Sequence, residues 1–356
     1  MVWLYSLIVI FIYSHTAIAE SGSEMLLSNK NLFYFCTAAN EKFYPHLLNL
    51  IGSIHRHNFY ELGHIAIFDL GLLPEQKSKL ASIEKVSIHK IEATNPQILQ
   101  KYYTQPNNSK PVPGWYSWKP VAIKQAFDLF PPDANILWID AGTTILKDIS
   151  PLFKCIEYQG YFFHNGWNWP LKRQTTQFVI NSFELNFPEN RWLLADTIFS
   201  LEAGLMGLTR KVYDNFVIPM YELSKDIRYF ADDGSAPEGF GYARHDQPLF
   251  SIYAQQNGYN IINHFEQPKE SFEIPINAFE VEPFHIASLP RWQTKSSHIC
   301  CSRNNLQDSK VNIAYIYYKN GRLSTLRKIY HGTKNKLAEL FIAPVAGTKA
   351  YLRKLF

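Results

Sequence analysis

Apolar residues in this chain gather in short unbroken runs that alternate with stretches of helical spacing. "LFYFCTA" (32–38) has the pattern of a buried strand, and "YPHLLNLIGSIHRH" (44–57) then places Leu47, Leu50, Ile51 and Ile54 on one helical face. "HIAIFDLG" (64–71) predicts a second strand ending on Asp69 and Gly71, Pro74 opens a short helix, and "VSIHKI" (86–91) predicts a third strand. A polar loop holding Pro106, Pro111 and Pro113 follows. "WKPVAIKQAFDLF" (118–130) then predicts an amphipathic helix and "ANILWID" (134–140) a fourth strand. Strands that read as continuous apolar runs are those covered on both faces, and strand–helix alternation gives right-handed βαβ units. The fold class is therefore α/β, an open, mixed, mostly parallel sheet flanked by helices.

Beyond Pro151 the pattern loosens. "GYFFH" (160–164) and "AGLMGLTR" (203–210) predict strands, and "TQFVINSFEL" (176–185), "KVYDNFVIPMYELSK" (211–225) and "QPLFSIYAQQNG" (247–258) predict helices. No repeat and no dividing linker interrupts this order. One elaborated domain over 25–305 is expected, with a C-terminal extension over 306–356.

Composition adds a sizeable core: 46% of the residues are hydrophobic, 15% aromatic and 19% charged. The net charge of +4 is too small to argue for a nucleic-acid partner. The surplus is uneven, however. Residues 309–356 carry ten Lys or Arg against one acid, Glu339, so the extension is either a solvated basic face or a contact for an anionic membrane surface. At the other end an apolar run from Val2 to Tyr13 precedes Ala17 and Ala19, which reads as a signal peptide over 1–19 or a short signal-anchor, though no Lys or Arg precedes the run. Export to a secretory-pathway lumen or a periplasm follows, and it permits disulfides. Of the four cysteines, Cys36 reads as a buried thiol, and Cys155 is a candidate partner for Cys300 or Cys301. Asn107 in "NNS" would be a glycosylation acceptor in a eukaryotic secretory route.

Several chemistries are excluded by missing motifs. The chain has no GxGxxG or GxxxxGK[ST] phosphate loop, no HExxH and no GxSxG. Candidate chemistry sits instead where strands end. Thr37, Ala38 and Ala39 close the first strand, Asp69 the second and Asp140 the fourth, and in a parallel sheet such ends share one edge. Small residues there let a ligand approach the backbone. A carboxylate at Asp69 could accept hydrogen bonds from a base or ribose. One at Asp140 could hold Mg²⁺ or Mn²⁺, which prefer hard oxygen ligands and bridge phosphates. Either Asp is also an ordinary turn residue. Lys119, in "PVPGWYSWKP", could neutralise a diphosphate, and Trp115 and Trp118 could stack on a sugar or base, with Trp118 alternatively a simple anchor for the next helix.

"FCTAANEKFYPHLLNLIGSI", "WKPVAIKQAF", "ILWIDAGTTI" and "HDQPLFSIYA", in this order, resemble the GT-A glycosyltransferases, in the glycogenin-like nucleotide-diphospho-sugar transferase superfamily, over roughly Leu32 to His298. The resemblance implies a hexosyltransferase-like enzyme with a nucleotide-sugar donor, a glycan, protein or lipid acceptor, and a divalent metal (Mn²⁺ or Mg²⁺). It places Asp140 at the first acid of an Asp-x-Asp pair and Gly142 at the second, so the motif is degenerate. It implies a later histidine as metal ligand, His285 ahead of His298. It sets Asp246 and Gln247 against the sugar, with Asp246 either a sugar contact or the acceptor's general base. "HNGWNW" (164–169) and "FADDGSAPEGFGYAR" (230–244) read as acceptor-side loops.

Two other readings compete. A transferase-like glycan-binding or scaffold protein without activity would explain the degenerate motif. A glycoside hydrolase would use Asp232, Asp233 or Glu238.

Overall fold

The computed structural model describes residues 32–103, 111–165, 169–262, 272–274, 284–287, 299–300 and 309–319. Its strands and helices alternate as the apolar pattern predicts. Strand β1 (Phe33–Ala39) leads into helix α1 (Tyr44–Asn58), then β2 (Leu62–Asp69), α2 (Pro74–Ala81) and β3 (Val86–Lys90). Helix α3 (Trp118–Leu129) returns the chain to β4 (Asn135–Ile139), which is followed by β5 (Thr144–Ile145), α4 (Ser150–Gln159) and β6 (Tyr161–His164). After short helical turns come β7 (Leu205–Leu208), α5 (Ile218–Leu223), α6 (Asp246–Gln256) and β8 (Ile261–Ile262).

The main sheet has seven strands in the order β8-β6-β7-β4-β1-β2-β3. β1 pairs parallel with both β2 and β4, and β2 with β3. β7 runs antiparallel between β4 and β6, which makes the sheet mixed. The expected α/β class, open and mostly parallel, is present. Each central strand is apolar on both faces for a simple reason. Ile136 and Trp138 of β4 join the core beneath α3 and α6, while Leu137 and Ile139 join the core beneath α1 and α4. A smaller sheet joins β9 (Phe272–Ile274), β10 (Phe284–Ala287), β11 (Ile299–Cys300) and β5.

The helix α7 (Ser309–Ala314) lies on α1. Asn312 Nδ2 donates to Asn49 Oδ1 at 2.9 Å, Tyr317 N donates to His55 Nδ1 at 3.2 Å, and Glu84 N donates to the Tyr317 carbonyl at 2.8 Å. The contact depends on Gly52, because a Cβ built there would sit 2.1 Å from the Asn312 carbonyl oxygen. Gly52→Ala should therefore push residues 309–319 off α1, at a cost of about 1–3 kcal/mol. A lowered Tm with faster proteolytic cleavage in that segment is expected, and an unchanged melt with unchanged cleavage would refute the docking.

The thiols of Cys36 and Cys155 correct one expectation. Cys36 is a buried free thiol, as predicted, but Cys155 is one as well, so it forms no bridge to Cys300 or Cys301. Burial pushes the Cys155 thiol up to about 11. The leader 1–19, Asn107, His298 and residues 320–356 lie outside the described residues.

Candidate functional site

Register brings the predicted strand ends together. Cys36 of β1 faces Trp138 of β4 in parallel, so Ala38 and Asp140 lie at one edge of the sheet. Asp140 continues the ladder toward β7, its N–H donating to the Gly204 carbonyl at 2.9 Å, and its own carbonyl accepts from Thr143 N at 2.9 Å to close the turn. Its side chain remains 35% exposed, whereas its neighbours are buried.

Those neighbours hold it from below. Lys119, in the first turn of α3, is 4% exposed and lies 3.4 Å from Asp140 Oδ1 and 3.0 Å from Asp246 Oδ2. Its ammonium also donates to the Ala203 carbonyl at 3.1 Å, and it sits 5.6 Å and 5.5 Å from the ring centres of Tyr116 and Trp138. Burial opposes the charge on Lys119, but Asp140 and Asp246 outweigh it and hold the amine above the ordinary lysine range. Trp138 Nε1 donates to Asp140 Oδ1 at 3.2 Å. One oxygen of Asp140 is thus committed to Lys119 and Trp138.

The other oxygen faces Glu202, a residue the sequence motifs did not point to. A Cβ built on Gly204 would lie 3.0 Å from Glu202 Oε1 and 3.1 Å from Asp140 Oδ2. Glycine here leaves a cradle between two carboxylates. Glu202 is fixed by its N–H donating to the His164 carbonyl at 2.7 Å and by Gly204 N donating to Oε1 at 3.2 Å. Burial, and then the charge of Asp140, raise its carboxyl above the usual glutamate range. The sequence signal for it is faint: an acid and a glycine directly before the apolar run of β7, in "LEAGLMGL".

Asp246 is buried at the start of α6 behind Lys119. Burial raises its carboxyl, and the ammonium of Lys119 opposes that rise. The residue before it, His245, has φ 57° and ψ −105°, a conformation that strains a non-glycine residue and is held here by its surroundings. His245 Nδ1 pairs with the Phe230 carbonyl at 2.8 Å, and its ring lies 5.0 Å from that of Trp115. Trp115 and Tyr116 themselves follow Gly114, and all three have positive φ. Gly114 is required there, since a Cβ would stand 1.8 Å from the Ile98 carbonyl oxygen. This strained turn launches α3 and so aims Lys119. Burial drops His245 to about 4, so it is neutral at pH 7.

The other predicted residues fare differently. Trp115 and Trp118 are core residues: Trp115 is stacked between Tyr102 and His245, and Trp118 packs on Trp138 while its Nε1 donates to the Pro113 carbonyl. Neither offers a free face, so the stacking role proposed for them is corrected to an anchoring one. Asp69 closes β2, but Oδ1 accepts from Gly71 N and Leu72 N, and Oδ2 pairs with Lys77 at 3.0 Å. Burial pushes Asp69 up, but those two N–H groups and Lys77 outweigh it and hold the carboxyl low. Thr37 is buried, its hydroxyl without a hydrogen-bond partner among the described residues, and Ala38 and Ala39 are buried beside it. Gly142 is buried in the turn after Asp140. Gln247 Nε2 donates to Gln174 Oε1 at 3.3 Å. His285 lies on β10, its backbone opposite Glu273, and its side chain is outside the described residues. The acids of the competing hydrolase reading knit their own loop instead. Asp232 accepts from Gly234 N and Gly241 N, Asp233 from Ser235, and Glu238 pairs with Arg173.

No family model matches the chain, and no curated protein matches it. Among solved structures the chain is similar to the galactosyltransferase LgtC in complex with donor and acceptor sugar analogs, at 10% identity and a TM-score of 0.46, over 81% of this chain and 97% of that one. It is similar to mouse xyloside xylosyltransferase 1 in its apo form, at 15% identity and a TM-score of 0.39, over 65% and 84%. It is also similar to core-mannan synthase A from Aspergillus fumigatus in a Mn/GDP form, at 10% identity and a TM-score of 0.43, over 64% and 70%. The solved structures named here are glycosyltransferases.

Proposed function

We propose that the protein is a glycosyltransferase that moves a sugar from a nucleotide-sugar donor to a hydroxyl group on a glycan, protein or lipid. The observation that carries this reading is the partly exposed carboxylate of Asp140 at the C-terminal edge of the parallel strands, where open α/β sheets bind ligands. Buried Lys119 fixes that carboxylate from beneath and ties it to Asp246. Such an arrangement is preorganised, so its charges need not reorient when a diphosphate departs.

The residues fit a divalent cation. Asp140 Oδ2 borders the cradle over Gly204, a hard oxygen donor turned away from Lys119. A bound Mn²⁺ or Mg²⁺ would neutralise charge on the diphosphate. The chain's own part is to hold Asp140 still, through Lys119, Trp138 Nε1 and the backbone contact with Gly204. Asp246, ion-paired and buried, serves in this reading as the anchor of Lys119 rather than as the acceptor's base. Gln247, Thr37, Ala38 and Ala39 would line the donor side, and His285 remains a candidate further ligand. The 25–305 domain would work in a secretory-pathway lumen or a periplasm, delivered by the leader, with the basic extension at a membrane surface.

A donor-hydrolysis screen across nucleotide sugars, with and without Mn²⁺, tests the proposal. Release of a nucleoside diphosphate from at least one donor, lost in Asp140→Ala, is expected. Every donor left intact, together with glycan binding in the absence of nucleotide, would replace the enzyme by a scaffold.

A further inference from the structure

We propose that Glu202 supplies the second carboxylate of the divalent-cation site, in place of the acid that Gly142 lacks. The inference rests on the glycosyltransferase reading for the identity of the cation's partner, a nucleoside diphosphate.

Three observations support it. The cradle over Gly204 is bordered by one oxygen from each of two carboxylates, Glu202 Oε1 and Asp140 Oδ2. Both are positioned: Asp140 through its other oxygen, by Lys119 and Trp138, and Glu202 by its N–H on the His164 carbonyl and by a hydrogen bond from Gly204 N to Oε1, an oxygen that keeps a second lone pair for a cation. Finally, the charges do not balance. Asp140, Asp246 and Glu202 bring three carboxyl groups against the one ammonium of Lys119. A diphosphate arriving at this edge would meet net repulsion unless a dication came with it.

The same geometry sets the order of binding. Among the described residues no group of three or more His, Cys, Asp or Glu could hold a metal ion. Cations of the Mg²⁺ type are commonly bound by one or two carboxylates together with substrate phosphates and water. Asp140 and Glu202 would therefore hold the ion weakly alone and firmly with the nucleotide.

The test measures binding rather than turnover. UDP, GDP, CDP and ADP are titrated calorimetrically into wild type, Glu202→Gln and Gly204→Ala, with and without MnCl₂, and each variant's melt is recorded. In wild type, Mn²⁺ should tighten at least one nucleotide by tenfold or more. Glu202→Gln should lose that tightening, with a metal-free affinity no weaker than that of wild type, because one repelling charge is gone. Gly204→Ala, which fills the cradle without removing charge, should lose it too. Variants that keep the full Mn²⁺ effect, or a wild type that binds nucleotide indifferently to Mn²⁺, would overturn the role of Glu202 and leave the transferase reading standing. If no nucleotide binds wild type, the transferase reading falls, and a paramagnetic-resonance titration with Mn²⁺ alone judges the site. Ion uptake by wild type that Glu202→Gln abolishes would sustain it, and no uptake by wild type, or equal uptake by the variant, would end it.

Discussion

Lys119→Met should lower the free energy of unfolding by about 3–5 kcal/mol, the cost of leaving one member of a buried ion pair alone. Methionine keeps most of the length and the packing between Tyr116 and Trp138, so the loss reports the ammonium, its charge and its hydrogen bond to the Ala203 carbonyl. The stranded group is Asp246, which is buried and whose second support is the helix start itself. Two further results should accompany the loss. Asp246→Asn in the Lys119→Met background should restore part of the stability, because no charge is then left buried. The penalty should also shrink in acid. Burial already raises the Asp246 carboxyl, and removing Lys119 takes away what pulls it down. An acid whose native pKa lies above its unfolded value of about 3.9 takes up a proton on folding. Its destabilisation is therefore full above the native pKa and fades as pH falls toward the unfolded one. Neutral buried His164, at about 3, loses stability in both proteins as pH drops below the ordinary histidine value; His245, at about 4, is held down chiefly by burial and in part by Lys119, so it loses less in Lys119→Met and adds to the shrinking of the penalty in acid. The decisive quantity is the difference between the two pH profiles, measured by urea unfolding. A difference that is flat in pH, or below about 1 kcal/mol, would mean that Lys119 is not the counter-ion of Asp246.

Asp140→Asn should reduce kcat/KM for sugar transfer by about 10²–10³-fold, the usual effect of deleting one preorganised electrostatic contact. Stability should change little, since Asn keeps the size of the side chain and an oxygen for Trp138 Nε1, and Lys119 retains Asp246 and the Ala203 carbonyl. Asp69→Asn is the informative contrast. It stands at a strand end of the same edge, but its oxygens serve Gly71, Leu72 and Lys77. That variant should transfer sugar within a few-fold of wild type and lose about 1 kcal/mol of stability. Equal activity in Asp140→Asn and wild type, on whichever donor the screen identifies, would remove Asp140 from the chemistry.

The contrast between those two aspartates shows how far the sequence could be read. Each ends an apolar strand with a glycine two residues on, and each is also an ordinary turn residue. What separates them is Lys77, one helix further on, and Lys119, delivered from a helix earlier in the chain. Lys119 was legible as a charge near the site, but its direction was not. Nothing in "YSWKP" tells a lysine reaching for a ligand from one buried beneath two carboxylates. Glu202 is not legible in the sequence, because its relation to Asp140 runs across the β4–β7 pair, and antiparallel pairing at that point has no local signature. Trp115 and Trp118 have the composition of a stacking platform and the burial of core residues, and aromatic residues look alike in sequence whether they cover a ligand or a core.

The chain's own pattern of apolar runs and helical spacing determined the elements and the α/β class. Those depend on local periodicity and on burial of both sheet faces, which each segment carries in itself. The pairing of Lys119 with Asp140 and Asp246, and the meeting of Glu202 and Asp140 over Gly204, were decided by the tertiary structure. Strand order and register set those distances, and they arise from packing between segments that are remote in sequence.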